Sequence, residues 1–419
     1  MIKTIYLHVG VHKTATSSIQ ESFGHGRAIL ASYGYLYPVF KRKNENLHNH
    51  SEVFYSLFTK YPEEYHINVL KGFNTKDLTN ELHRSYKAQF ILQLEKFAGE
   101  NVILSGEDIS MFGSNELKNL KDFLVGLTQP NVQIKIIMFC RNPISWACSH
   151  IQEVIKGGKT IAQAIEENNI LPKPFYQTKI NLLADVFQFD SIQVMQYEEA
   201  ITHEYGPVGA FLSLIGADKT IAQLLKNDYY NQSPSYEATV LLHSINTQAP
   251  RFINNITNPA LFNYRPTIVQ TIPGQKYFLD SKQNATIWKR DQDDVLWLCK
   301  EFDLPEYKFI KTSKTKDSEK WNEEVMKSIK LMLPDQPLNI RLIIFKELTQ
   351  EFNRYKHAFP NKKKFMLFTY FISYLPYIQV NTRFKKFEIL SKHLGFYYTF
   401  KLSLIVNLWP YITQFKKSK

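Results

Sequence analysis

The chain has 419 residues, 44% of them hydrophobic and 14% aromatic, so it is long enough for a large core and is not a disordered polymer. Its three cysteines, Cys140, Cys148 and Cys299, lack CxxC spacing, which argues against a disulfide framework or a cysteine zinc site and fits a reducing compartment. The net charge of +12 is uneven: residues 356–419 hold twelve Lys and Arg against one acid, Glu388, and the other 355 residues hold 39 basic against 38 acidic.

Thr4 to Val9 is rich in β-branched and aromatic residues and reads as a buried strand that starts almost at the N-terminus, with no signal peptide or anchor ahead of it. Gly10, Lys13 and the hydroxyl residues Thr14, Thr16, Ser17 and Ser18 follow, and a helix is expected from there to about Tyr33. A strand–loop–helix of this kind aims backbone N–H groups, a helix dipole and an ammonium at one point, which suits phosphate or sulfate. The nucleoside-triphosphate loop GxxxxGK[ST] and the dinucleotide loop GxGxxG are both absent. The stretch His8–Gln20 resembles instead the 5′-phosphosulfate loop of sulfotransferases, which in many bacterial members runs close to H-x-G-x-x-K-T-G-T-[ST]-S-x-Q. Ala15 stands where that pattern has Gly, so the backbone there is expected at a negative or mildly strained angle.

Gly34 to Ser51 reads as a polar, basic loop whose His48 and His50 are taken as loop residues in the absence of further metal ligands. An amphipathic helix is expected over 85–98, a second strand over Asn101–Ser105 ending in Gly106-Glu107-Asp108, and a third over Val132–Cys140. The third strand runs into Arg141-Asn142-Pro143, where Pro opens a helix and Arg141 and Ser149 can converge on one anion. Arg followed after seven residues by Ser resembles the 3′-phosphate segment of sulfotransferases. A fourth strand, Ile192–Gln196, ends in Tyr197-Glu198-Glu199, similar to a family step whose Tyr lies by the adenine. Short helices are expected over 207–215 and, opened by Asn231-Gln232-Ser233-Pro234-Ser235, over about 235–247. Residues 251–289 read as a loop-rich acceptor lid, 311–320 as a linker, and Met332–Phe359 as partly helical.

The last residues hold a repeat: Leu375-Pro376-Tyr377-Ile378 and, thirty-four positions on, Trp409-Pro410-Tyr411-Ile412, each followed by Lys-rich sequence. The aromatic–aliphatic runs before them are too short to span a bilayer, and the composition reads as lying on an anionic membrane surface.

The resemblance implies an α/β fold with a P-loop-like parallel sheet over 1–310, then a linker and helical segment over 311–355 and a membrane-peripheral tail over 356–419. It implies 3′-phosphoadenosine-5′-phosphosulfate as donor, without metal, and a glycan or lipid-linked glycan acceptor at the cytoplasmic face of the membrane; no nucleic-acid partner is expected. Lys13 would stabilise the leaving 5′-phosphate, with Thr14, Ala15, Thr16, Ser17 and Ser18 cradling it. Arg141 and Ser149 would hold the 3′-phosphate and Tyr197 would lie by the base. Family members use a His or a Glu after the second strand as general base; here Glu107 takes that place, with Asp108 and His12 as other candidates. A magnesium-dependent kinase and an inactive nucleotide-binding module anchored by its tail are the alternative readings.

Overall fold

A computed structural model of the chain describes residues 1–166, 172–225, 233–253, 256–311 and 320–354. These residues form two units, each discontinuous in sequence. The first contains 1–150, 172–225 and 279–311, and the second contains 151–166, 233–253, 256–278 and 320–354.

Seven strands lie in the first unit: β1 (Thr4–His8), β2 (Tyr35–Leu36), β3 (Phe40–Arg42), β4 (Glu45–Leu47), β5 (Asn101–Ser105), β6 (Gln133–Cys140) and β7 (Ile192–Gln196). Five of them make an all-parallel sheet in the order β2-β5-β1-β6-β7, while β3 and β4 form a separate antiparallel pair. Helices flank the sheet, so the fold is α/β. Strands buried on both faces read as continuous apolar runs, which is why β1, β5 and β6 stand where the sequence predicts them, whereas β7, at the sheet edge, alternates buried and half-buried residues.

On one face, Tyr6, Ile103, Ile137 and Phe139 pack with Ile19 and Phe23 of the helix Thr16–His25 and with Phe211 of the helix Gly206–Leu214. Elsewhere on the sheet, the helix Tyr176–Phe187 packs on β6 and β7 and against the helix Ser114–Gly126. The sheet neighbours of β1 are β5 on one side and β6 on the other, and His8 is level with Ser105 and Ile137. The loops after β1, β5 and β6 therefore leave one carboxyl edge together, at the reversal of strand order where open parallel sheets bind ligands.

The structure departs from the expected elements at several places. The helix expected to reach Tyr33 stops at His25 and restarts as Arg27–Ser32, and the loop of 34–51 contains β2, β3 and β4. The helix expected over 85–98 begins at Lys76, where the Thr75 side chain accepts from the Leu78 N–H. The segment 251–289 is less open than expected. It contains the helix Pro266–Gln270 and the start of the 21-residue helix Ser281–Glu301, opened by a reciprocal capping box between Asp280 and Gln283.

The second unit is mostly helical, with one short antiparallel pair, Phe252–Ile253 and Ile256–Thr257. The helix Tyr236–Gln248, capped by Ser235, packs on Leu338–Arg354 and on Pro266–Gln270. Trp321 is fully buried there; its N–H groups donate to Glu237 Oε1 (3.2 Å) and Glu351 Oε2 (3.1 Å), so both buried carboxylates have partners. All three cysteines of the chain are buried thiols outside any disulfide. No helix among the described residues is long and apolar enough to cross a membrane. The repeat and the basic tail of 356–419 lie outside the described residues, as do Asn231, Gln232 and 312–319 of the expected linker.

Candidate active site

The loop after β1 is held by a few specific contacts. The Thr14 hydroxyl donates to the Val11 carbonyl (2.6 Å), and the Trp146 indole donates to the His12 carbonyl (2.7 Å). A Cβ on Gly10 would stand 2.4 Å from Thr16 Oγ1, so only glycine lets the helix start this close to the strand end. Lys13 and Ala15 both adopt left-handed backbone, at φ +73° and +64°. Ala15 is thus at the strained of its two expected angles. It is also the N-cap of the helix Thr16–His25 and makes no side-chain capping bond to the first turn. Thr16 Oγ1 is buried with no hydrogen-bond partner. Because the Thr14 proton is spent on Val11, that hydroxyl braces the loop and has no proton to offer a ligand.

Arg141 follows β6 and reaches this loop. Its Nη1 donates to the Lys13 carbonyl (3.0 Å), its guanidinium lies over the Tyr197 ring (4.6 Å), and its Nε is buried without a partner. Burying a guanidinium is costly unless its donors are met, so the group has capacity for an anion. The Tyr176 hydroxyl accepts from the Arg141 N–H (2.8 Å) and donates to the Arg141 carbonyl (2.7 Å). Asp294, from the helix the sequence did not reveal, caps the Tyr176 helix by accepting from the N–H groups of Tyr176 (3.0 Å) and Gln177 (2.8 Å). Ser149 is buried in the second turn of the helix Pro143–Lys156.

At the end of β5 two carboxylates face one imidazole. Glu107 Oε2 lies 3.5 Å from His12 Nδ1, and Asp108 Oδ1 lies 3.3 Å from His12 Nε2. Burial disfavours the imidazolium, but the hydrogen bond to Glu107 and the charges of Glu107 and Asp108 outweigh it and raise the His12 pKa. Burial likewise raises the Asp108 pKa, against the His12 charge and a hydrogen bond donated by the Tyr65 hydroxyl (2.8 Å). Glu107 is the more exposed carboxylate, at 24% against 13% for Asp108, and so the one better reached by an acceptor. Lys179 also belongs here: its charge is felt at His12, and burial lowers its own pKa.

Ser105, just before Gly106-Glu107, is held at every polar atom. His8 Nδ1 lies 2.9 Å from its hydroxyl, Gln20 donates to its carbonyl (3.1 Å), and its N–H donates to His50 Nδ1 (3.0 Å). The His50 N–H also donates to that carbonyl (3.0 Å), and His50 Nε2 lies 2.9 Å from the Pro38 carbonyl. His50 is therefore a structural clamp with both ring nitrogens engaged. His8 and Gln20 are the first and last residues of the loop pattern read from the sequence, and their common target was the part not read. Burial lowers the pKa of both His8 and His50 to about 4, so both are neutral near pH 7.

Lys13, the 14–18 loop, Arg141 and Tyr197 thus gather at one sheet edge, with Glu107, Asp108 and His12 beside the same loop. No family model matches the chain, and no curated protein does. The chain is similar to a solved sulfotransferase from Alicyclobacillus acidocaldarius, at 13% identity over 73% of this chain and 98% of that one, with a TM-score of 0.38. It is also similar to a sulfotransferase domain from the curacin biosynthetic pathway, at 10% identity over 69% of this chain and 97% of that one, with a TM-score of 0.29.

Proposed function

We propose that the protein is a sulfotransferase that moves a sulfuryl group from 3′-phosphoadenosine-5′-phosphosulfate to a hydroxyl of a glycan or lipid-linked glycan. The observation that carries the reading is the meeting of Arg141 with the Lys13 loop, a buried, incompletely paired guanidinium beside an uncapped helix start. A donor with two separate phosphate groups meets both features.

In this reading the acceptor oxygen attacks sulfur as the bond from sulfur to the bridging oxygen breaks. The electron pair leaves on the 5′-phosphate, where Lys13 and the first-turn N–H groups of the 14–18 loop balance the growing charge. Glu107 takes the acceptor proton, and His12 shares the charge of the carboxylate pair before that transfer. Arg141, with Ser149, holds the 3′-phosphate, and Tyr197 stacks between the guanidinium and the base. The products are a sulfate ester and 3′-phosphoadenosine-5′-phosphate. The tail of 356–419 attaches the enzyme to an anionic membrane through twelve basic residues and its apolar runs.

Purified protein incubated with the donor, EDTA and a glycan extract tests this by release of 3′-phosphoadenosine-5′-phosphate and gain of sulfated glycan. Turnover of ATP that requires magnesium, with none of the sulfate donor, would make it a phosphotransferase instead. Sedimentation with anionic vesicles tests the tail: full-length protein that stays in the supernatant contradicts the membrane assignment.

A further inference from the structure

We propose that Glu21, His25 and His48 form a binding site for a divalent transition metal of the zinc class, separate from the residues assigned to the sulfate donor. Glu21 and His25 stand four residues apart on the helix Thr16–His25 and share one face. His48 reaches that face from the segment after β4, with Nδ1 3.0 Å from Glu21 Oε2. The His25 and His48 rings meet edge to face at 5.0 Å, and one ligand atom from each residue lies within 4.8 Å of the other two. Among the described residues this is the one group of three or more His, Cys, Asp or Glu side chains so placed.

The arrangement is built into the backbone. A Cβ on Gly24 would stand 2.3 Å from the His48 ring, so the imidazole lies directly on the helix between Glu21 and His25, where only glycine admits it. The His48 carbonyl is fixed by the hydroxyl of the buried Tyr37 (2.7 Å). His25 is exposed and the other two are partly so, which gives an ion access and lets His25 swing inward.

Two imidazoles and one carboxylate are the ligand set of open zinc sites, with a fourth position left to water at bond lengths of about 2.0–2.2 Å. The positive charge of Arg27, felt at Tyr37 and His50, opposes any cation here. It opposes most an ion that needs several carboxylates, so imidazole-seeking metals are favoured over magnesium or calcium. The metal would replace the proton shared by His48 and Glu21 and tie the 43–50 segment to the helix.

Full-length protein stripped with a chelator and dialysed should take up one equivalent of zinc in calorimetry, saturating at micromolar concentration, and should melt at a higher temperature with zinc than without. His25→Ala and Glu21→Gln, both at accessible positions, should each weaken uptake by more than about tenfold and abolish the melting shift. Gly24→Ala keeps all three ligands but displaces the His48 ring, and should weaken uptake as well. Absence of saturable uptake by the unaltered protein, or uptake unchanged in both His25→Ala and Glu21→Gln, overturns the site.

Discussion

Arg141 Nη1 donates to the carbonyl of Lys13 across 3.0 Å, joining two loops 128 residues apart at the ends of adjacent parallel strands. The contact fixes the guanidinium where it lies over Tyr197, and it gives the Lys13 carbonyl a charged donor. Its integrity rests on the bracket that Tyr176 closes around the Arg141 backbone.

Tyr176→Phe removes both halves of that bracket and leaves a buried N–H and C=O without their partner. The expected cost is about 1–3 kcal/mol of stability, read as a lower denaturation midpoint, together with weaker donor binding. A variant as stable as the parent would mean that water replaces the hydroxyl and the bracket is dispensable.

Ala15 holds φ +64°, a conformation that costs a non-glycine residue about 1–2 kcal/mol. Ala15→Gly relieves this and loses part of the gain to unfolded-chain entropy, for a net stabilisation of up to about 1 kcal/mol in thermal unfolding. Destabilisation by about 1 kcal/mol would show the residue at an ordinary negative φ.

Acid should weaken the fold through His8 and His50. Their folded pKa values near 4 lie below the unfolded value of about 6.5, so between those values the unfolded chain binds more protons and stability falls as pH falls. Each contributes up to about 3 kcal/mol to that loss. His12 has the opposite sign: its raised pKa gives stability that is full below about 6.5 and lost as pH rises through the folded value. Denaturation midpoints across pH 4–8 measure the sum, and His50→Gln, which keeps a donor and an acceptor, should flatten the acid limb. An unchanged acid limb would show that His50 titrates normally.

Much of the sheet was legible because β1, β5 and β6 are nearly continuous apolar runs that a buried parallel strand requires, and β7 mixes apolar and polar residues as an edge strand does. The helix Ser281–Glu301 was not, because Lys282, Gln283, Asn284, Lys289, Arg290, Gln292 and Asp293 dilute its apolar stripe. Its capping box was nonetheless present in the sequence as Asp280 and Gln283. At the site, Lys13, Arg141 and Tyr197 could be read from local motifs. The convergence on Ser105 could not, since His8, Gln20 and His50 reach it across 97, 85 and 55 residues, and no local pattern encodes such contacts.

Glu107→Gln should bind donor normally and lose sulfuryl transfer by about 10²–10⁴-fold, the usual contribution of a general base. The same variant should lower the His12 pKa in a histidine NMR titration, because it removes a charge that raises it. Near-full turnover in Glu107→Gln, with loss in Asp108→Asn or His12→Ala, would move the base to one of those residues.

The most direct test is calorimetric binding of 3′-phosphoadenosine-5′-phosphate in the presence of EDTA, compared with ADP and repeated in Arg141→Ala. The account predicts tight binding of the first ligand and much weaker binding of ADP. It also predicts a loss of about 2–5 kcal/mol in the variant, as expected when a desolvated charge loses its partner. Equal affinity for the two ligands, or binding that survives intact in Arg141→Ala, would contradict it.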